Sequence, residues 1–91
     1  MIDCYPIVWT GDLSDDCKAI WSGFMLRAEW EDGRRWWWAV SVIETGAEIA
    51  SSNSDPRECC SGEDARLFAE SAAREHLLRH LRRTTFITRK K

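Results

Sequence analysis

The sequence predicts an α+β domain: a three- to four-stranded antiparallel meander with one long C-terminal helix packed on one face. Three observations predict it. From Phe24 to Ile43 apolar residues recur at every second position, the period of a half-buried strand. Two turn dipeptides, Asp32-Gly33 and Thr45-Gly46, divide that region and its continuation into successive strands. From Ala65 to Leu81 the apolar period lengthens to that of a helix.

Residues 2–9, "IDCYPIVW", read as a strand interrupted by Pro6. Proline lacks a ladder donor, so this is expected to be an edge strand or two short pieces. Residues 13–19, "LSDDCKA", read as one helical turn, with Ser14 as N-cap and Asp15 and Asp16 in its positive first turn. Residues 1–22 are thus expected to form an N-terminal strand and an irregular segment leading into the meander at 24–52.

In the first hairpin Phe24, Leu26, Ala28 and Trp30 alternate with Met25, Arg27, Glu29 and Glu31. The returning strand, about Arg34 to Ile43, places Trp36, Trp38, Val40 and Val42 on one face and Trp37, Ala39, Ser41 and Ile43 on the other. A two-residue Asp32-Gly33 loop would set Trp36 and Trp38 beside Arg27 and Glu29. A three-residue loop, Glu31-Asp32-Gly33, pairs Ala28 with Trp36, Leu26 with Trp38 and Phe24 with Val40. That register keeps one face apolar and puts Gly33 in the left-handed position such loops use. A further strand, about Ala47–Ser52, is expected to direct Ala47, Ile49 and Ser51 to the apolar face.

Residues 53–60, "NSDPRECC", are turn-rich and read as a loop. Ser61 is the expected N-cap of a helix over 61–83, with Asp64 three residues on in a variant of the capping box. Its apolar stripe is Ala65, Phe68, Ala69, Ala72, Ala73, His76, Leu77 and Leu81. The alanines suit a sheet carrying large tryptophans, because large side chains pack against small ones. Residues 84–91 form a basic tail expected to fray or to add a short strand at Thr85–Thr88.

Order and spacing over residues 24–83 resemble two families of small β-β-β-α domains, the double-stranded-RNA-binding-like domains and the HicB-like antitoxins. Both lay an alanine-rich helix, here Ala65 to Ala73, across a short antiparallel sheet. In the RNA-binding family lysines at the start of this helix grip phosphates. Here that place reads Gly62-Glu63-Asp64-Ala65-Arg66, so the resemblance implies architecture only.

Ninety-one residues make one small domain, and six tryptophans give it an unusually large apolar load. No apolar run approaches the ~20 residues of a membrane span. The start, Met1 to Pro6, lacks the basic flank and apolar stretch of a signal peptide. A cytoplasmic protein with no membrane partner is therefore expected, with Cys4, Cys17, Cys59 and Cys60 reduced.

Net charge is −2, but residues 1–65 carry thirteen acids and five bases, while residues 66–91 carry eight bases and two acids. Arg74, Arg79, Arg82, Arg83, Arg89, Lys90 and Lys91 could follow a nucleic-acid backbone. The competing reading is a solvated helix end suited to its own dipole. The acidic remainder, with a sequence pI near 5.6, opposes nucleic acid.

Two histidines at i and i+4, His76 and His80, share a helix face and invite a zinc reading with Cys59-Cys60. Adjacent cysteines are poorly spaced for one tetrahedral ion, so no metal and no cofactor is expected. Nucleophilic catalysis needs a cysteine or serine beside a positioned base, and no motif indicates one. A non-catalytic protein is expected.

Trp37 is the sharpest feature. With Met25, Arg27, Arg35 and Ile43 it falls on the face away from the helix. Tryptophan, methionine and arginine are favoured at interface hot spots. The competing reading is that Trp9, Trp21 or the N-terminal strand folds over Trp37 as a second small core. The expectation is a binding protein that engages a protein partner or a second copy of itself through this face. It would act as an adaptor or inhibitor, of the bacterial, phage or mobile-element kind that acts on a nucleic-acid enzyme or regulator. The alternative is nucleic-acid binding through the basic helix end and tail.

Overall fold

In the computed structural model, which describes residues 6–55, 59 and 61–89, five strands precede one helix. The strands are β1 (Thr10–Asp12), β2 (Asp16–Trp21), β3 (Phe24–Asp32), β4 (Arg35–Val42) and β5 (Glu48–Ser51). A short 3-10 turn at Ser52–Ser54 follows, then helix α1 (Gly62–Arg89). Strand order in the sheet equals chain order and every pairing is antiparallel. The α+β class and the single long helix on the sheet agree with the sequence reading. Among the described residues the strand count is five rather than three to four.

The difference lies in the N-terminal segment. Residues 13–19 do not form a helical turn. Residues 13–15 turn the chain, and β2 begins at Asp16. Ser14 is no N-cap: its backbone N–H and its hydroxyl both donate to Asp12 Oδ1, at 2.9 and 2.6 Å, closing the β1–β2 loop. The helical reading rested on Ser14 and two acids. It overlooked Cys17, Ala19 and Trp21, which alternate with Lys18 and Ile20 and are all buried. Residues 6–9 are not strand, and the remainder of the expected strand over 2–9 falls on residues 2–5, outside the described residues. Ser22 (φ 51°) and Gly23 (φ 83°) form the two-residue turn into β3, the paired positive-φ geometry that tight hairpins favour.

Gly11 is held by a close approach as well as by its backbone angle. Its φ is +95°, and a Cβ there would lie 2.8 Å from the Asp16 carbonyl oxygen. Gly11→Ala is therefore expected to lower the stability read from urea unfolding by more than the ordinary surface change of about 0.5 kcal/mol. Gly23→Ala, where nothing crowds the Cβ, should show the φ penalty without the clash. Equal losses would remove the crowding argument.

The β3–β4 hairpin keeps the expected faces in a different register. Phe24 pairs with Val42, Leu26 with Val40, Ala28 with Trp38 and Trp30 with Trp36. Each partner of β3 is two residues later than expected. Both strands run further into the turn, a bulge lies between Trp30 and Asp32, and Gly33-Arg34 forms the tip. A two-residue shift returns each side chain to the same face, so face matching cannot distinguish these registers. Two contacts favour the observed one. Trp30 stands opposite Trp36, and Trp30 Nε1 donates to the Gly33 carbonyl at 2.8 Å.

The third expected strand is shorter, and only part of its facing holds. A bulge between Val40 and Ser41 passes over Ile49, so Ile49 and Ala50 both pack against the core. Ala47 is exposed. Ser51 is buried, but opposite Ala39 and hence on the face away from the helix.

Ser61 caps α1 as expected, accepting the Asp64 backbone N–H at 3.1 Å, with Glu63 and Asp64 in the first turn. The helix does not stop near residue 83. Its backbone stays helical through Arg89, so the 84–89 stretch neither frays nor forms a strand. No glycine or proline interrupts residues 63–91. Extending a formed helix adds one hydrogen bond per residue fixed, and this outweighs the modest β preference of the threonines and isoleucine.

Ala65, Ala69 and Ala73 are fully buried one turn apart, facing Cys17, Ala19, Trp21, Phe24, Leu26, Ala28, Trp36, Trp38 and Val40. Phe68, Ala72, His76 and Leu77 flank that line; the Leu81 side chain lies outside the described residues. Gly62 continues the small-residue line: a Cβ there would meet the Trp36 indole at 2.8 Å. The segment before β1 and the β1–β2 loop are both fastened to the helix. Trp9 Nε1 donates to Glu70 Oε2 at 2.8 Å, and Arg66 donates to the Leu13 carbonyl at 3.0 Å.

Candidate functional site

With α1 on one face, the other face of the sheet has no second layer among the described residues. Antiparallel pairing fixes which residues share this face, because directly opposed side chains point the same way. Three rows cross the strands. The first contains Asp12, Asp16, Glu29 and Trp37. The second contains Thr10, Lys18, Arg27, Ala39 and Ser51. The third contains Ile20, Met25, Ser41 and Glu48.

Trp37 is half-buried among these residues. The Arg27 guanidinium lies over its ring, 5.5 Å from the centroid, and also pairs with Glu29 on the same strand. Desolvating such a cation–π contact strengthens it, so a partner covering Trp37 and Arg27 gains from both. Trp9 and Trp21 pack into the core on the helix side, so neither forms a lid over Trp37. Met25 is half-buried, and Ile20 is 66 % exposed, a large apolar side chain left to solvent on this face. Around Lys18, Met25, Arg27 and Ser41 the surface sinks into a depression of about 330 Å³ that also touches Thr10, Gly11 and Asp16.

Four of the five residues expected to make an interface are therefore together: Met25, Arg27, Arg35 and Trp37. Ile43 leaves the group. Strand β4 ends at Val42, and the chain turns at 43–45. Ile43 lines a separate depression of about 580 Å³ at the end of the sheet, with Phe24, Val42, Glu44, His76 and Leu77. Sequence reasoning missed Asp16, Lys18 and Ile20, because the helical reading of 13–19 hid their strand. The signals were the alternation of Cys17, Ala19 and Trp21 and the Ser22-Gly23 turn.

The other candidates are less assembled. Arg74 pairs with Glu70 at 3.3 Å and lies 5.7 Å from the Trp21 ring centroid; Arg79 pairs with Glu75 at 3.0 Å. The side chains of Arg82, Arg83 and Arg89 lie outside the described residues, as do Lys90 and Lys91. His76 stands edge-on to Phe24, 5.6 Å between ring centroids. Cys59 is buried beside the helix start, and Cys4, Cys60 and the His80 side chain lie outside the described residues. Among the described residues no group of three or more His, Cys, Asp or Glu is placed to hold a metal ion, and no helix is long and apolar enough to cross a membrane. Cys17 is buried with its Sγ 3.6 Å from the Ala28 carbonyl. Burial pushes its thiol up, against the opposing pull of Arg66, so little thiolate forms at neutral pH.

No protein-family model, no curated protein and no solved structure matches this chain.

Proposed function

We propose that the protein is a non-catalytic binding protein that docks onto a protein partner with the open face of its sheet, centred on Trp37. The observation that carries this reading is the half-buried indole with the Arg27 guanidinium over it, on a face with no second layer among the described residues. Met25 and Ile20 supply apolar contact around it, and the charged rows supply orientation. By this reading the chain acts by occupying its partner, as an adaptor or inhibitor. A nucleic-acid enzyme or regulator is the proposed type of target.

Capture from host lysate tests it. The wild-type chain and the variants Trp37→Ala and Arg79→Ala are compared at equal folded concentration. Partner recovery should fall about tenfold or more with Trp37→Ala, since a hot-spot truncation costs ~2 kcal/mol or more. It should be unchanged with Arg79→Ala. The reverse pattern, with binding to DNA or RNA that weakens steeply as salt rises, would assign the function to the basic helix end instead.

A further inference from the structure

The charges on the open face are sorted into rows, and the sorting is unfavourable within one chain. Asp16 stands directly opposite Glu29, and Lys18 directly opposite Arg27. Asp12 extends the acidic row on the other side of Asp16. Like charges directly opposed across strands are destabilising. The Arg27–Glu29 pair along β3 offsets part of this cost and leaves the rows in place.

We infer that, while the protein is free of its target, the occupant of this face is a second copy of the chain, docked about a two-fold axis that runs across the strands between the acidic and basic rows. This deepens the docking-face reading and rests on it. A rotation of 180° about that axis brings the acidic row of one copy onto the basic row of the other. Asp16 meets Lys18 of the second copy, Glu29 meets Arg27, and the reciprocal contacts follow by symmetry, as a two-fold interface requires. The same rotation maps β4 onto β4. It places Trp37 over Ala39 of the second copy, whose side chain is small and buried between its neighbours. Large then meets small at both symmetry-related positions. Arg35 falls on the row of Ser41, one strand spacing from Glu48.

The area suffices. The five strands hold 30 residues, and at ~4.8 Å between strands and ~3.4 Å per residue they present roughly 500 Å² per copy. The two copies together bury on the order of 1,000 Å², the lower end of specific interfaces. A dimer of that size should be reversible and salt-sensitive, because its charges lie within a Debye length of solvent.

Sedimentation equilibrium over a range of concentrations and salt tests this with three full-length proteins: wild type, Lys18→Glu/Arg27→Glu and Asp16→Lys/Glu29→Lys. Circular dichroism checks that each is folded. Wild type should dimerise, with the dissociation constant rising at least tenfold between low and high salt. Each double variant gives the four facing positions 16, 18, 27 and 29 one sign of charge and should be monomeric alone. An equimolar mixture of the two should restore a 1:1 dimer. That result does not follow from loss of folding or from general stickiness. A wild type that stays monomeric at millimolar concentration overturns the inference, as does a mixture that does not associate. If the wild type is monomeric yet Trp37→Ala still abolishes capture of a different protein, the second-copy assignment fails while the docking face stands. If neither association nor Trp37-dependent capture is found, both fail.

Discussion

Trp38→Ala should cost about 3–5 kcal/mol, while Trp37→Ala, one residue away, should cost markedly less. Trp38 is 3 % exposed and packs against Phe68 with ring centroids 6.5 Å apart. Truncation would leave a large cavity between sheet and helix, lined by side chains that cannot collapse without moving α1. A domain of this size has roughly 5–10 kcal/mol in total, so the Trp38 variant should be only marginally folded at 37 °C. Trp37 faces the other way. Its removal loses the Arg27 stacking contact and some apolar cover, leaving the helix-side cluster intact. Urea midpoints of the two variants give the comparison directly. Equal losses would mean that the two faces of β4 are buried alike, and the open face would not exist as a docking surface.

Ala69→Leu should destabilise by about 1–3 kcal/mol or unfold the domain, even though leucine is a good helix former. Ala69 is fully buried in the line Ala65–Ala69–Ala73, the small side of a helix–sheet interface whose large side is tryptophan, phenylalanine and leucine. Three added carbons have no space there unless the helix lifts from β3 and β4. Ser71, on the exposed side of the same turn, provides the control. Ser71→Leu should leave the stability within about 0.5 kcal/mol of wild type. If Ala69→Leu is as well tolerated as Ser71→Leu, the helix is not seated by its alanines.

The helix and the central hairpin were legible because their periods are long and unbroken. Ala65, Ala69 and Ala73 recur one turn apart, and Ser61 caps where a serine before two acids should. The separation of Trp37 from Trp36 and Trp38 followed from strand alternation alone, and the structure keeps it. The hairpin register was not legible to within two residues, since such a slip leaves every face unchanged and only the Trp30 contacts decide it. Strand β2 was obscured because Ser14, Asp15 and Asp16 look like a helix start. Its side-chain alternation is also masked by Ile20, an apolar residue on the solvent side. The length of α1 was obscured for the opposite reason: nothing in Thr84 to Arg89 favours a helix except the helix before it. The charge rows were invisible from the sequence, because Asp16–Glu29 and Lys18–Arg27 become neighbours only once β2 and β3 pair.

The most direct test of the docking face is fluorine NMR on protein labelled with 5-fluorotryptophan, with the Trp37 resonance assigned by its loss in Trp37→Phe. In dilute protein the Trp37 signal should shift on changing from H₂O to D₂O, and the Trp38 signal should not. On association, the Trp37 signal should move and lose its solvent shift, with those of Trp21, Trp36 and Trp38 unchanged. A Trp37 signal as shielded as that of Trp38 in the free protein, or unmoved when the protein associates, would contradict an open docking face centred on this residue.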